Sequence, residues 1–188
     1  MKSKHVKTLM VPLSEYAVVS EDANLFEAVL ALEKAQTEYE KSRYTHRAIL
    51  VQNKSGKIIG KLSQLDVLMA LEPKYKKIGG MKSDSNPGFS TDFLKNLMSQ
   101  YRFWDSPMGD IHNKAHQIRV KEAMYAPVAG EIVDESATLD QAIHQLVTGK
   151  HQSLLVTRKG DIVGILRLVD VFKEVFEQIK ALAHKNIQ

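Results

Sequence analysis

The stretches GKIIGKLSQLD (residues 56–66) and GDIVGILRLVD (residues 160–170) follow one eleven-residue pattern, G-x-I-h-G-x-L-x-x-h-D with h apolar. The chain is therefore a duplication. Each copy opens on a Gly-containing turn, continues as a short apolar strand and ends with an Asp that opens a helix. Polar side chains and free backbone amides are thus aimed at one spot, where a phosphate or a sugar can sit.

The duplication extends outward on both sides. Val6, Leu9, Met10 and Pro12 open the first copy much as Val120, Ala123, Met124 and Pro127 open the second, with the proline displaced by one. Short apolar strands follow at Ala17 to Val19 and Glu131 to Val133. Amphipathic helices come next, their apolar positions paired at constant offset: Leu25 with Leu139, Ala28 with Ala142, Val29 with Ile143, Leu32 with Leu146. This is the i, i+3, i+4, i+7 spacing of one buried helical stripe. Second strands are expected at Ala48–Val51 and Ser153–Val156, third strands at Lys57–Leu62 and Asp161–Leu166, and final helices from near Ser63 and near Arg167. Each copy is then β-α-β-β-α in roughly 60 residues, too small to be comfortable alone, so the two are expected to share a core. The expected fold is α/β, with a first repeat over 1–71, an insertion over 72–117 and a second repeat with its C-terminal helix over 118–188.

Composition narrows the function classes. The chain has 188 residues, 44% hydrophobic and 26% charged, enough apolar material for a real core and not the make-up of a disordered chain. No apolar run approaches the 18 or so residues of a membrane span, and MKSKHVKTLM lacks the apolar region of a secretory signal. The absence of cysteine excludes disulfides, thiolate metal sites and thiol nucleophiles, and fits a cytoplasmic location. The net charge of +4 is modest, and its lysines cluster in Lys2–Lys7 and Lys74–Lys77 with no stripe interleaved with aromatics, so nucleic-acid binding is not favoured.

Two segments depart from the minimal repeat. Thr37 to Tyr44 lengthens the first helix or its loop by about two turns. The insertion contains a loop-like Lys82–Gly88, then Leu94, Leu97, Met98 and Tyr101 at helical spacing, which predicts a helix near 90–102 capped by Ser90 or Thr91. Phe103, Trp104 and Pro107 beyond it either pack the insertion onto the repeats or form a partner surface or lid. His112 and His116, with Asp110 nearby, have metal-ligand spacing but no third firm ligand, so no metal site is expected. Nor do the residues assemble a nucleophile with its base, a carboxylate pair or a phosphate-cradling Gly-rich loop, so the chain is not expected to be an enzyme.

The paired V-x-x-x-M opening, the helix starts at Asp22–Leu25 and Glu135–Leu139, and the twice-repeated ending quoted above resemble a tandem pair of cystathionine-beta-synthase-type (CBS) domains, a Bateman module, over about 6–71 and 118–180. That resemblance implies a non-catalytic regulatory unit. Its two copies would pack with pseudo-twofold symmetry and bind an adenosine-containing ligand, such as AMP, ADP or ATP, in the clefts between them.

Ser63 and Asp66 have the spacing of a capping box, which would explain them with or without a ligand. In the second copy Arg167 replaces the serine while Asp170 remains, and an acid in the first turn also suits the helix dipole. The resemblance adds that Asp66, and by the repeat Asp170, would accept the ribose hydroxyls, with Ser63 facing phosphate. His46 and Arg47 precede the second strand as His151 does in the other copy, with Lys150 just before it. Such residues are either solvated edge charges or phosphate ligands, the guanidinium gripping two oxygens at once. The same resemblance places the adenine slot at Ala17 and Val18 and at Glu131 and Ile132. Ser63 leaves room for a phosphate, whereas Arg167 either fills that room or meets a phosphate with its charge, so the Ser63–Asp66 cleft is expected to be the primary site. The helix after Asp170 carries Val171, Phe172, Val175, Phe176 and Ile179, more apolar surface than one repeat needs, which predicts a homodimer. The output would pass to an effector protein that the sequence does not identify. The alternatives are a dimerisation or interaction module with vestigial clefts and, less favoured, a nucleic-acid-binding protein.

Overall fold

The computed structural model describes residues 4–39, 48–72, 74, 91–100 and 110–185. The first repeat contains β2 (Val18–Ser20), α1 (Leu25–Tyr39), β3 (Ala48–Gln52), β4 (Ile58–Ser63) and α2 (Gln64–Leu71). The second contains β5 (Ile132–Asp134), α6 (Leu139–Gly149), β6 (Ser153–Arg158), β7 (Asp161–Arg167) and α7 (Leu168–Lys185). Between them lie α3 (Thr91–Gln100), α4 (Ile111–Gln117) and the single turn α5 (Val120–Ala123), and β1 (Val11–Pro12) precedes the first repeat. The expected order β-α-β-β-α is thus present twice, with element ends displaced by one or two residues. The expected cap of α3 at Ser90, and Phe103, Trp104 and Pro107, lie outside the described residues or bear on side chains outside them.

The two halves obey the same local rules. Asn24 caps α1 by accepting from the Glu27 amide at 2.8 Å while Glu27 accepts from the Asn24 amide at 2.8 Å. Thr138 and Gln141 make the equivalent box at α6. Helices α1 and α6 each carry the chain between parallel neighbours, β2 beside β3 and β5 beside β6, and Gly56 and Gly160 (φ 78° and 89°) turn each antiparallel hairpin that follows. The sheets run β2-β3-β4 and β1-β7-β6-β5.

The opening segments are exchanged. Residues that precede the first repeat pack on the second, and those that precede the second pack on the first. The Val6 amide donates to the Ala137 carbonyl at 2.9 Å and the Leu139 amide to Lys4 at 2.9 Å; at the matching places Val120 donates to Ala23 at 2.8 Å and Leu25 to Ile118 at 2.9 Å. Val6 belongs to the core of Leu139, Ala142, Leu154 and Leu166, while Val120 belongs to that of Leu25, Ala28, Ile49 and Leu62. A third cluster of Val11, Tyr16, Leu50, Leu155 and Ile165 joins the two sheets. This is the shared core that small repeats need. Sequence order attached each opening segment to its own copy; the packing crosses them.

The exchange explains the second glycine of the eleven-residue pattern. A Cβ at Gly164 would lie 2.6 Å from the Val11 carbonyl oxygen, and one at Gly60 would lie 2.8 Å from the Met124 sulfur and 3.0 Å from the Tyr125 carbonyl oxygen. In both halves the incoming segment therefore runs directly over the strand, with β1 pairing Val11 to Ile165 and Tyr125 bridging Lys61. Gly164→Ala is expected to destabilise the protein by about 1–3 kcal/mol, because the obstructing atom is backbone and cannot rotate away. Thermal melting of the variant measures this, and an unchanged midpoint would contradict the close approach.

The buried helical stripe is narrower than the sequence spacing implied. Leu25, Ala28, Leu32 and Ala35 are buried, but Val29 is 42% exposed. At about 100° per residue Val29 sits roughly 80° from the centre of that arc. Its counterpart Ile143 packs partly against the second core.

Candidate functional site

A cavity of about 530 Å³ is bordered by both repeats. The first supplies Tyr16, Ala48, Lys61 and the start of α2 (Ser63, Gln64, Leu65, Asp66), and the second supplies Glu131, Lys150, His151, Gln152, Ser153, Arg167 and Val169, with Tyr125 beside them. The strand-to-helix junctions that end the eleven-residue motif reach the same cavity from the two halves, Ser63 to Asp66 at one and Arg167 to Val169 at the other. Its volume is within the range of small-molecule sites.

At the first junction the Ser63 hydroxyl accepts from the Asp66 amide at 3.2 Å, and Asp66 Oδ2 accepts from the Ser63 amide at 2.8 Å and its hydroxyl at 2.6 Å. The capping box is therefore formed, yet it occupies only one carboxylate oxygen. Oδ1 of Asp66 accepts no hydrogen bond among the described residues. At the second junction Arg167 turns back on Asp170: Nε lies 2.6 Å from Oδ2 and Nη2 lies 2.8 Å from Oδ1, with both side chains nearly buried. The long side chain thus holds both oxygens of its own repeat's Asp, where Ser63 holds one. Burial pushes the neighbouring Tyr16 hydroxyl up to about 12; the Arg167 charge opposes this rise and the Asp170 charge adds to it.

A second polar network spans the repeats. Lys61 Nζ lies 2.8 Å from Glu131 Oε1, with 14% and 6% of the side chains exposed. Glu131 Oε2 also accepts from the Val128 amide at 3.3 Å, and His151 Nδ1 stands 3.6 Å from Oε1. Desolvation raises the Glu131 carboxyl, but the Lys61 hydrogen bond and charge, the Val128 amide and the Tyr125 hydroxyl outweigh it and hold the group below the ordinary value of 4.5. In turn, the hydrogen bond to Glu131 pushes the Tyr125 hydroxyl upward. Lys150 ends α6 in the left-handed conformation, φ 53°, where glycine is usual and other residues incur strain of about 1 kcal/mol.

Of the residues picked from sequence, Ser63, Asp66, Glu131, Lys150, His151 and Arg167 border this cavity. Asp170 stands behind Arg167. Ala17, Val18 and Ile132 are packed in the cores, outside the lining, and the Ala17 carbonyl already accepts from Leu50 at 2.9 Å and the Ile132 carbonyl from Gln145 at 2.9 Å. His46 and Arg47 lie outside the described residues. Sequence reading missed Lys61, Tyr125 and Tyr16. The signal for Lys61 was present: it stands in an apolar strand where the other copy has Ile165, and Glu131 stands where the other copy has Ala17. His112 meets Phe26 edge-on at a ring-centroid distance of 5.9 Å, and His116 lies tilted against it at 4.4 Å.

A family model described as the CBS domain matches residues 6–73 and again residues 120–177, more than half of the chain. The chain belongs to the CBS-domain family. Its two matches follow the two repeats, so it carries a CBS pair. Solved CBS-pair structures have the same fold. CBSX2, a CBS-pair protein from Arabidopsis thaliana, in a crystal structure in complex with AMP, superposes with a TM-score of 0.57 at 19% identity, covering 93% of this chain and 98% of that one. A CBS domain-containing protein of unknown function from Bacillus anthracis gives 0.58 at 17% identity, over 94% and 95% of the two chains. The CBS domain of a bacterial CNNM/CorC family Mg2+ transporter in complex with ATP gives 0.57 at 16% identity, over 93% and 89%. Comparison with curated protein sequences finds no match. No helix among the described residues is long and apolar enough to cross a membrane.

Proposed function

We propose that this CBS pair is a non-catalytic regulatory module that binds an adenine nucleotide in the cavity between its repeats. The observation that carries this reading is that Asp66, whose Oδ1 accepts no hydrogen bond among the described residues, borders a cavity also bordered by Lys150, His151 and Arg167. A carboxylate oxygen suits a ribose hydroxyl, and the Lys150 ammonium, on the same cavity as the N-terminus of α2, suits phosphate. The strain at Lys150 fits the same purpose, since glycine would end α6 more cheaply but bring no charge. AMP in one structural relative and ATP in another support this ligand class. Lys61 and Glu131 make the cavity respond to relative movement of the repeats, because each half contributes one partner. A ligand that favours one packing over the other would shift that equilibrium and so signal to an effector protein.

A thermal-shift series over AMP, ADP, ATP and S-adenosylmethionine tests the reading. Any of these at 100 times its dissociation constant adds about 2.7 kcal/mol. At roughly 2–4 °C per kcal/mol for a chain of this size, the midpoint rises by several degrees. A series in which none of them moves the midpoint would remove nucleotide sensing and leave an interaction module.

An interaction role has its own support. Phe172, Phe176 and Ile179 stand at i, i+4, i+7 on α7 and are 67%, 47% and 61% exposed. Burying one such side chain contributes about 1.5–3 kcal/mol, so a second copy of this chain laid against the stripe would form a stable homodimer. Light scattering at tens of micromolar protein is expected to give twice the chain mass, and Phe172→Asp to lower it toward the monomer. A monomeric wild type would exclude the homodimer.

A further inference from the structure

We infer that Arg167 closes the Asp170 half of the module to ribose, so that each chain takes one nucleotide, at Asp66, rather than two. This rests on the nucleotide reading above. The duplicated motif supplies one Asp to each half, and symmetry alone would predict two equivalent acceptors. The two carboxylates differ in what already holds them. Asp66 gives one oxygen to Ser63, its Oδ1 accepts no hydrogen bond among the described residues, and the residue borders the cavity. Asp170 gives one oxygen to Arg167 Nε at 2.6 Å and the other to Nη2 at 2.8 Å, and does not border the cavity.

The guanidinium occupies Asp170 in the same two-point manner that a ribose diol would require, and it does so with the stronger kind of bond. Its donors carry charge, whereas ribose hydroxyls are neutral. Displacement has a second cost, because Arg167 is 5% exposed and would give up, while buried, the paired contact with the Asp170 carboxylate. A neutral diol gives back neither loss. Ser63 imposes no such barrier on Asp66: its hydroxyl and amide both sit on Oδ2, and nothing has to be moved before Oδ1 is used. Arg167 is therefore a specificity-determining residue that acts through Asp170, and it sets the number of nucleotides bound.

Isothermal titration of the wild type with AMP and with ATP is expected to give one nucleotide per chain. Arg167→Ser places at 167 the residue found at Ser63, and is expected to add a second event, giving two per chain. Asp170→Ala on the Arg167→Ser background should return the stoichiometry to one. Two nucleotides per wild-type chain would overturn the inference, and that result needs no variant to fold. So would a single event in Arg167→Ser protein whose melting transition remains cooperative. Arg167→Lys, which keeps the charge but loses the two-point grip, provides the check if the serine variant does not fold, and a single event there overturns the inference as well. Binding by Arg167→Ser but not by the wild type would support the role of Arg167 while refuting the Asp66 site. Absence of binding in both would refute the nucleotide reading, and this inference with it.

Discussion

Lys61→Ala is expected to lower stability by about 3–5 kcal/mol, which corresponds to a fall of roughly 6–20 °C in the melting midpoint for a chain of this size. Lys61 and Glu131 belong to different repeats and are both largely removed from water. Loss of the ammonium leaves the Glu131 carboxylate with the Val128 amide, the Tyr125 hydroxyl and a histidine 3.6 Å away, but without its short cationic partner. The cost comes from the orphaned charge rather than from the worth of the pair, so Lys61→Met combined with Glu131→Gln is expected to recover most of it. This non-additivity is the decisive readout. A cost below about 1 kcal/mol for Lys61→Ala, which is what a surface ion pair contributes, would show that water screens the pair.

The acid dependence follows with a definite sign. Glu131 titrates below its ordinary value of 4.5 in the folded protein, so its contribution is fully present above the ordinary range and is lost as pH falls through the lowered value. In Lys61→Ala the desolvation that raises this group loses its main opponent, and the carboxyl protonates at higher pH. The penalty of the substitution therefore shrinks as pH falls from 7 toward 4. Melting curves of the two proteins across that interval should converge, and curves that stay parallel would place the titrating group elsewhere.

The fold was legible because duplication supplies its own control. A single G-x-I-h-G-x-L-x-x-h-D segment is an ordinary hairpin and helix start, but two copies with apolar stripes at matching offsets leave little freedom in the elements. The stripe was drawn slightly too wide, as exposed Val29 shows, because spacing gives the period of a buried face but not its centre. The exchange of opening segments was not legible at all. Val6 and Val120 are each other's equivalents, so their patterns are the same whether each packs on its own copy or on the other. Gly60 and Gly164 recorded that a backbone crosses each strand without recording whose backbone it is.

At the site, the departures from the repeat were more informative than its agreements. Lys61 in place of Ile165 and Glu131 in place of Ala17 are two changes of opposite charge, one in each half, and together they form the bridge between the repeats. An ionisable residue in an otherwise apolar strand requires a counter-charge, so the pair could be read from sequence once the two copies were aligned. Arg167 against Ser63 is the third such departure. Its sequence left two outcomes, filling the space or meeting a phosphate, and did not show the contact with Asp170. That contact joins residues three apart across a strand-to-helix junction, and residue spacing alone does not determine it.

Asp66→Asn is expected to reduce nucleotide affinity by roughly 10- to 150-fold, the equivalent of about 1.5–3 kcal/mol for a hydrogen bond to a charged group. The capping role and the proposed ribose contact need not compete for the same oxygen. Oδ2 closes the capping box with Ser63, while Oδ1 accepts no hydrogen bond among the described residues and Asp66 borders the cavity. Asparagine keeps an oxygen that can accept from the Ser63 amide but removes the charge, so it should spare the helix start and weaken the ribose contact. Ser63→Ala does the converse. It removes the hydroxyl that accepts from the Asp66 amide at 3.2 Å, at a cost of about 1 kcal/mol in stability, and leaves the Asp66 charge in place. Titration calorimetry with AMP and thermal melting, run on both variants, should therefore move in opposite order: affinity falls most in Asp66→Asn, stability most in Ser63→Ala. Affinity in Asp66→Asn equal to that of the wild type would leave the carboxylate with the capping role alone, and the acid at this helix start would then serve stability rather than recognition.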